Sequence, residues 1–244
     1  MRTWRDIARY HLVVPWLPAA LPWAALALSF VVNLVIFSLV PTSYHEVLTS
    51  HGLVRVANPS NNYTGGLATI YVFLLVIGIN SIGRSLPFGL ALGVSRRSFY
   101  TGTALFGVVL AFIDGTLLTA LQAIERATGG WGVRMHFFEV PYILDGPWYL
   151  TWLTSFVALA LLFVWGMWFG IVYRRWNLFG SVAFIAVQVT VLLVAALIVS
   201  WADAWPGVGH FFAGLTAAGL TGVLAALAAL LLAGGQATIR RATV

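Results

Sequence analysis

Lysine and cysteine are both absent from this chain, and charged residues make up only 8% of its 244 positions. Without lysine, the chain has neither the phosphate-binding lysine of a P-loop nor an amine that could form a Schiff base. Without cysteine, it forms no disulfide, no catalytic thiolate and no cysteine-ligated metal site. Any energy taken from ATP must therefore be supplied by a different polypeptide.

The low charge is matched by a high apolar content, with 61% of residues hydrophobic, whereas a soluble domain carries roughly 25% charged residues. Six apolar runs are each long enough to cross a bilayer, which takes about 20 residues per helix. The runs are continuous rather than alternating, which favours helices over a barrel. We therefore expect an all-α polytopic membrane protein, one transmembrane domain over residues 1–244. Its spans are predicted near 17–40, 67–83, 101–124, 148–172, 178–200 and 209–233.

The arginines are distributed unequally between the two sides of this pattern. One side carries ten of the thirteen and a single acid, Asp6; the other carries three arginines and five acids. Positive charge is retained on the cytoplasmic side of membranes, so both termini are expected in the cytoplasm of a bacterial cell, the chain passing repeatedly through its inner membrane. This placement explains the net charge of +6 without nucleic acid. The ten arginines are Arg2, Arg5, Arg9, Arg84, Arg96, Arg97, Arg174, Arg175, Arg240 and Arg241.

Residues 1–14 are predicted to form an amphipathic helix on the inner membrane surface. Trp4, Ile7 and Leu12 share one helical face, and arginines occupy the rest. The alternative is a basic tail that only follows the charge rule. On the outer side, residues 41–66 are predicted to be an irregular, turn-rich segment.

Histidine and glutamate occur together in both long segments predicted on the outer side. The first, 41–66, contains His45, Glu46 and His51, and the second, 125–147, contains His136 and Glu139. Their spacings match no established ligand set. We therefore predict solvated loops and no metal site.

Residues 84–100 are the most informative segment. Five large apolar side chains stand on the cytoplasmic side: Leu86, Phe88, Leu90 and Leu92 between arginines at 84 and 96–97, and Phe99 just after them. Pro87, Gly89 and Gly93 are expected to interrupt a continuation of the membrane helix, and Ser95 to cap the next one. An apolar and basic element at this boundary is suited to docking a partner protein. The alternative is an ordinary loop whose arginines only set topology.

The run from Arg84 to Thr103, with its Gly-Val-Ser-Arg-Arg-Ser-Phe stretch, resembles the inner loop of bacterial ABC transporter permeases of the ABC-2-like exporter type. The resemblance implies that this segment is the coupling helix that inserts into a separate ATPase subunit, which binds the ATP and Mg. It also implies two further partners: a second permease chain, the same or related, and the lipids of the membrane. The implied activity is export of an amphiphilic substrate such as a drug, a lipid-like molecule or a peptide. The chain departs from many such permeases because the connection between its last two spans, at 201–208, is short. The implied docking positions are Arg84, Leu86, Pro87, Phe88, Leu90, Gly93, Arg96, Arg97 and Phe99.

Asp114 is the acid in the middle of a predicted span. A carboxylate there costs at least about 2.5 kcal/mol, so it should face the bundle interior or water. It is either part of a translocation path or a neutral or hydrogen-bonded acid packed against Thr116, Thr119 or a neighbouring span such as the one carrying Gln188.

Small residues recur at four-residue spacing in two predicted spans, which lets helices approach closely. They are Gly166 and Gly170 in the fourth run, and Gly214, Ala218, Gly222 and Ala226 in the sixth. These small residues could serve either helix packing within the chain or an interface with another subunit, and the sequence leaves both alternatives open.

Two further function classes remain to be weighed. A non-transporting membrane anchor or sensor subunit would use residues 84–100 for partner binding without nucleotide. An intramembrane enzyme is disfavoured because the sequence has neither a His-Glu-x-x-His motif nor a Gly-x-Ser-x-Gly motif. We therefore expect no catalytic residue in this chain.

Overall fold

The computed structural model describes residues 16–39, 44–49, 52–57, 65–139 and 147–241. Five helical runs in these ranges are long enough and apolar enough to cross a membrane: Ala20–Leu39, Gly65–Ala91, Arg96–Ala127, Trp148–Trp201 and Ala217–Thr238. The chain is therefore a predominantly helical membrane protein. The predicted surface helix at 1–14 lies outside the described residues. The helices are α1 (Trp16–Leu39), α2 (Ala68–Gly83), α3 (Ser85–Ala91), α4 (Arg96–Ala127), α5 (Trp148–Trp201), α6 (Trp205–Ala213) and α7 (Ala217–Arg241).

The first long connection contains a β-hairpin, where we expected an irregular segment. Strand β1 (Tyr44–Thr49) pairs antiparallel with β2 (Gly52–Ala57), and Thr49 stands opposite Gly52. Two residues, Ser50 and His51, separate the strands. The Val-rich stretch after Gly52 suits a strand, so local β propensity in this segment outweighed its turn-forming residues.

Helix α5 has 54 residues and is broken at Asn177, whose backbone angles are φ 55° and ψ −151°. At 1.5 Å per residue a straight helix of this length would span about 80 Å, far more than the roughly 30 Å of a bilayer core. The break divides α5 into segments 148–176 and 178–201. These segments correspond to the predicted runs at 148–172 and 178–200.

The last predicted run, 209–233, is divided in the structure. Helix α6 ends at Ala213, and α7 begins at Ala217. The Thr216 hydroxyl accepts a hydrogen bond from the Gly219 amide at 3.1 Å, which is the usual contact of a helix N-cap. Apolar content alone could not reveal this boundary, because it depends on that capping contact.

Glycines bring the second half of α2 close to the first segment of α5. A Cβ atom on Gly166 would collide with the Leu75 carbonyl oxygen, and one on Gly170 would lie 2.8 Å from the Ile79 carbonyl oxygen. Gly78 meets the Phe163 carbonyl oxygen in the same way. Such backbone contact is typical of membrane helix pairs with small residues at the interface, so Gly166 and Gly170 lie at a contact within the chain.

Two buried clusters fill the bundle. One surrounds the α3 end and contains Ile82, Leu86, Phe99, Tyr100, Phe106, Leu110, Phe163, Met167 and Ile171. The other surrounds the opposite end and includes Leu26, Ile70, Leu118, Met135, Phe137 and Phe138. In contrast, no residue from Tyr173 to Trp201 is buried. The second segment of α5 therefore presents its apolar surface to lipid or to another chain.

Candidate functional site

Helix α3 has two faces that differ in burial. Leu86 is 6% exposed and Leu90 packs against the same buried cluster. Phe88 and Leu92 are 52% and 44% exposed. Residues four apart lie on one side of a helix, so the first pair attaches α3 to the bundle and the second pair forms an apolar outer surface.

The predicted docking residues therefore separate into two groups. Arg84, Phe88, Gly93 and Arg97 are exposed, Pro87, Leu90 and Arg96 are partly buried, and Leu86 and Phe99 are buried. The buried residues can position the segment but cannot contact a partner directly. Leu92, which was not among the predicted docking positions, belongs to the exposed group; its place four residues after Phe88 was the signal that could have identified it.

The membrane helix α2 ends at Gly83 and a separate helix begins at Ser85, so its continuation is interrupted, but Pro87 and Gly89 themselves lie within α3. Pro87 stands in the first turn, where its missing N–H has no helical partner to lose. Gly89 is buried, and a Cβ atom there would come within 2.6 Å of the Phe99 ring. The turn that ends α3 depends instead on Gly93, whose φ of +79° is readily adopted by glycine.

Ser95 begins α4, as predicted. Its side chain accepts a hydrogen bond from the Ser98 amide at 3.2 Å, and its own φ and ψ are extended. This contact satisfies one of the amides left free at a helix start. The turn between α3 and α4 is thereby fixed by Gly93 on one side and Ser95 on the other.

Two hydrogen bonds connect this end of the bundle to α7. The Tyr100 hydroxyl donates to the Leu232 carbonyl oxygen at 3.1 Å, and Trp168 Nε1 donates to the Leu231 carbonyl oxygen at 2.8 Å. Tyr100 directly follows Phe99, which contacts α3 at Gly89. A displacement of α3 would therefore reach α4 and α7 through adjacent residues.

A cavity of about 370 Å³ opens beside the junction of α2 and α3. Its apolar lining comes from α1, α2 and α4, and its polar lining comes from the end of α2 and the start of α3. The lining residues are Leu21, Pro22, Phe73, Val76, Ile77, Asn80, Ser81, Arg84, Ser85 and Phe106.

Asp114 is 3% exposed and accepts a hydrogen bond from Trp23 Nε1 at 2.9 Å. Of the contacts considered for a structural acid, Thr116 and Thr119 each donate to a carbonyl oxygen one turn earlier in α4, and the hydrogen-bond partner of Asp114 comes from a neighbouring span. The partner is on α1, the first membrane helix. Sequence spacing could not reveal this pair, since 91 positions separate the two residues.

Glu125 organises the C-terminal end of α4, a role that the sequence did not indicate. It is 1% exposed, and its carboxylate accepts hydrogen bonds from Trp131 Nε1 at 2.8 Å, the Phe137 amide at 3.0 Å and the Phe138 amide at 3.1 Å. A charged acceptor with several backbone donors is a strong arrangement. Glu125 thus holds segment 129–139 against the end of the helix.

The same segment brings Glu125, His136 and Glu139 together, with one ligand atom of each within 4.8 Å of the others. Glu139 already pairs with Arg126 at 3.2 Å and with His136 Nδ1 at 2.9 Å. Glu139 is therefore shared by Arg126 and His136, while the Glu125 carboxylate is bonded to donors of residues 131–138.

The small residues of the sixth run do not form one packing stripe within the chain. Gly214 lies between α6 and α7, and a Cβ atom on Gly222 would meet nothing within 4 Å. Ala218 is on α7 and exposed. Gly222 therefore faces open space.

Comparison with known proteins gives no further assignment: no family model, curated protein or solved structure matches this chain.

Proposed function

We propose that this chain is the transmembrane permease subunit of an ATP-driven exporter of the ABC type, and that α3 with its flanking arginines docks a separate ATPase. The observation that carries the proposal is the division of α3 into a buried face and an exposed apolar face. A surface loop that only set topology would have no reason to expose Phe88 and Leu92, at 52% and 44%, beside arginines.

The position of α3 relative to the membrane supports the same proposal. The helical run Gly65–Ala91 has 27 residues, a length of about 40 Å at 1.5 Å per residue. A bilayer core of about 30 Å is crossed by roughly its first twenty residues, which places Arg84 near the far boundary. Helix α3 then lies at the cytoplasmic surface, where Phe88 and Leu92 can enter an apolar groove of the ATPase and Arg97 can fix its orientation.

Motion of the docked ATPase would be transmitted through the contacts around Phe99 and Tyr100. Leu86, Phe99 and Met167 belong to one buried cluster, so α3, α4 and the first segment of α5 would move together. Closure of two ATPases on ATP binding would then rock the bundle between inward-facing and outward-facing arrangements, as in other rigid-body switches.

The complete transporter would contain two permease chains and two ATPases, with ATP and Mg bound by the ATPases. The two segments of α5 would cross the membrane separately, which makes six crossings and leaves both termini in the cytoplasm of a bacterial cell. Residues 1–14 would lie on the inner surface. The cargo would be amphiphilic, in keeping with the aromatic and weakly charged spans.

Phe88 and Phe112 provide a matched test, because they are 52% and 51% exposed but only Phe88 is on α3. A phenylalanine buries about 150–250 Å², so half of it is roughly 100 Å². At 25 cal/mol per Å² this area contributes up to about 2.5 kcal/mol, which corresponds to about a seventyfold change in affinity.

The tagged chain is purified from its native cells in a mild detergent, and the co-purifying ABC ATPase is identified and titrated back onto the purified permease. We expect Phe88→Ala to weaken ATPase binding by up to about seventyfold and Phe112→Ala to leave it unchanged. If no ABC ATPase binds, or if both variants bind it equally well, the docking function is wrong and the chain is better described as an anchor or sensor subunit.

A further inference from the structure

We propose that the cavity at the junction of α2 and α3 binds an anionic phospholipid, with one acyl chain between α1 and α2 and the phosphate on Arg84. The cavity volume of about 370 Å³ lies within the range of about 300–1,000 Å³ that small-molecule sites occupy. The proposal concerns the chain alone and does not require a docked ATPase.

One wall of the cavity changes from apolar to polar along a single helix. Phe73, Val76 and Ile77 line it first, then Asn80 and Ser81, and finally Arg84. Residues spaced by three and four lie on the same helical face, and the eleven steps from 73 to 84 cover about 16 Å. This gradient matches a molecule with an apolar chain and a charged head.

The polar end of the cavity favours an anion. Among the described residues, the ion pairs join Glu139 to Arg126 and to His136. Arg84 therefore has no acidic partner within the part of the chain that the structure describes. The Ser81 and Ser85 hydroxyls lie beside it in the lining and can donate hydrogen bonds. A guanidinium group with additional donors suits a phosphate, which it can bind through two parallel bonds.

A bound lipid would join membrane helices to the segment proposed to dock the ATPase. Leu21 and Pro22 belong to α1, Phe106 to α4 and Ser85 to α3, yet all four line the same cavity. An occupant therefore contacts each of these elements at once. We expect it to reduce the mobility of α3, which can be measured by hydrogen exchange at residues 85–91.

Native mass spectrometry of the chain released from nanodiscs containing equal amounts of phosphatidylglycerol and phosphatidylcholine tests the assignment. The wild-type chain should retain one phosphatidylglycerol. Arg84→Gln should weaken retention of this lipid about fivefold, the effect of one arginine beside an anionic headgroup. The Arg97→Gln variant should retain the lipid as the wild type does. Val76→Phe, which fills the apolar part, should also lose the lipid, and Val72→Phe, outside the lining, should not.

Equal retention of the two lipids would overturn the assignment, as would equal weakening by Arg84→Gln and Arg97→Gln, which indicates diffuse attraction to the surface. An Arg84-dependent occupant that proves to be a non-lipid compound from the cells would also overturn it. A separate failure of ATPase binding with lipid retention intact would affect only the docking function. Hydrogen exchange at 85–91 should be slower in phosphatidylglycerol than in phosphatidylcholine for the wild type and unchanged for Arg84→Gln.

Discussion

Replacement of Glu125 by alanine should release the segment that follows α4. The substitution removes the acceptor of Trp131 Nε1 and of the Phe137 and Phe138 amides. Each buried donor left without a partner costs about 1–3 kcal/mol. Because a released segment can pair some of its donors with water, we take the lower part of this range for the three donors together and expect a total loss of about 3–5 kcal/mol.

Thermal unfolding in detergent gives the first measurement, with a decrease in midpoint on the order of 10 °C for a chain of this size. Hydrogen exchange gives the second, with faster exchange confined mainly to residues 129–139. Glu139→Ala is the matched control, because its partner Arg126 is 39% exposed and surface ion pairs contribute about 1 kcal/mol or less. Equal effects of Glu125→Ala and Glu139→Ala on stability would refute the anchoring role of Glu125.

Three further outcomes follow from the contacts of other residues. Gly166→Leu should abolish the monodisperse peak in size-exclusion chromatography, because α2 leaves no room for a side chain at this position. Gly222→Leu should preserve the peak, because no atom of the described residues lies near that position. Similar profiles for the two variants would contradict the packing of α2 against α5. Ser95→Ala should lower the free energy of unfolding by about 1 kcal/mol, measured by thermal shift, and Ser95→Asp should not; equal losses would show that the cap is unimportant. Asp114→Ala and Trp23→Phe should be non-additive in a double-mutant cycle of stability, since they share one hydrogen bond, and Asp114→Asn should be tolerated better than Asp114→Ala. Additive effects would mean that the bond contributes nothing.

Helix positions were largely accessible from sequence because they depend on local apolar content. The first predicted run, 17–40, and the second, 67–83, differ by one residue or less at each end from α1 and α2. The Ser95 cap was also predictable, because it depends on residues three positions apart. The hairpin at 44–57 was not expected, since its strands are short and lie among turn-forming residues.

The docking segment was predicted as a unit, but the roles of its residues were not separable. The sequence supplied five apolar side chains, four of them between arginines and one just after. It could not distinguish Leu86, which is buried, from Phe88, which is exposed. That distinction depends on which face of α3 meets α4, and the contact of Gly89 with the Phe99 ring determines it.

Composition and the order of residues were sufficient to establish a helical membrane protein, because the transfer of each apolar run into lipid depends on that run alone. The tertiary structure was needed for every contact between distant positions, including Trp23 with Asp114, Glu125 with the 131–138 turn, and α2 with the glycines of α5. These contacts depend on how helices are oriented against one another, and in a chain so uniformly apolar many orientations have similar hydropathy. Close backbone approach and a few buried hydrogen bonds select one of them.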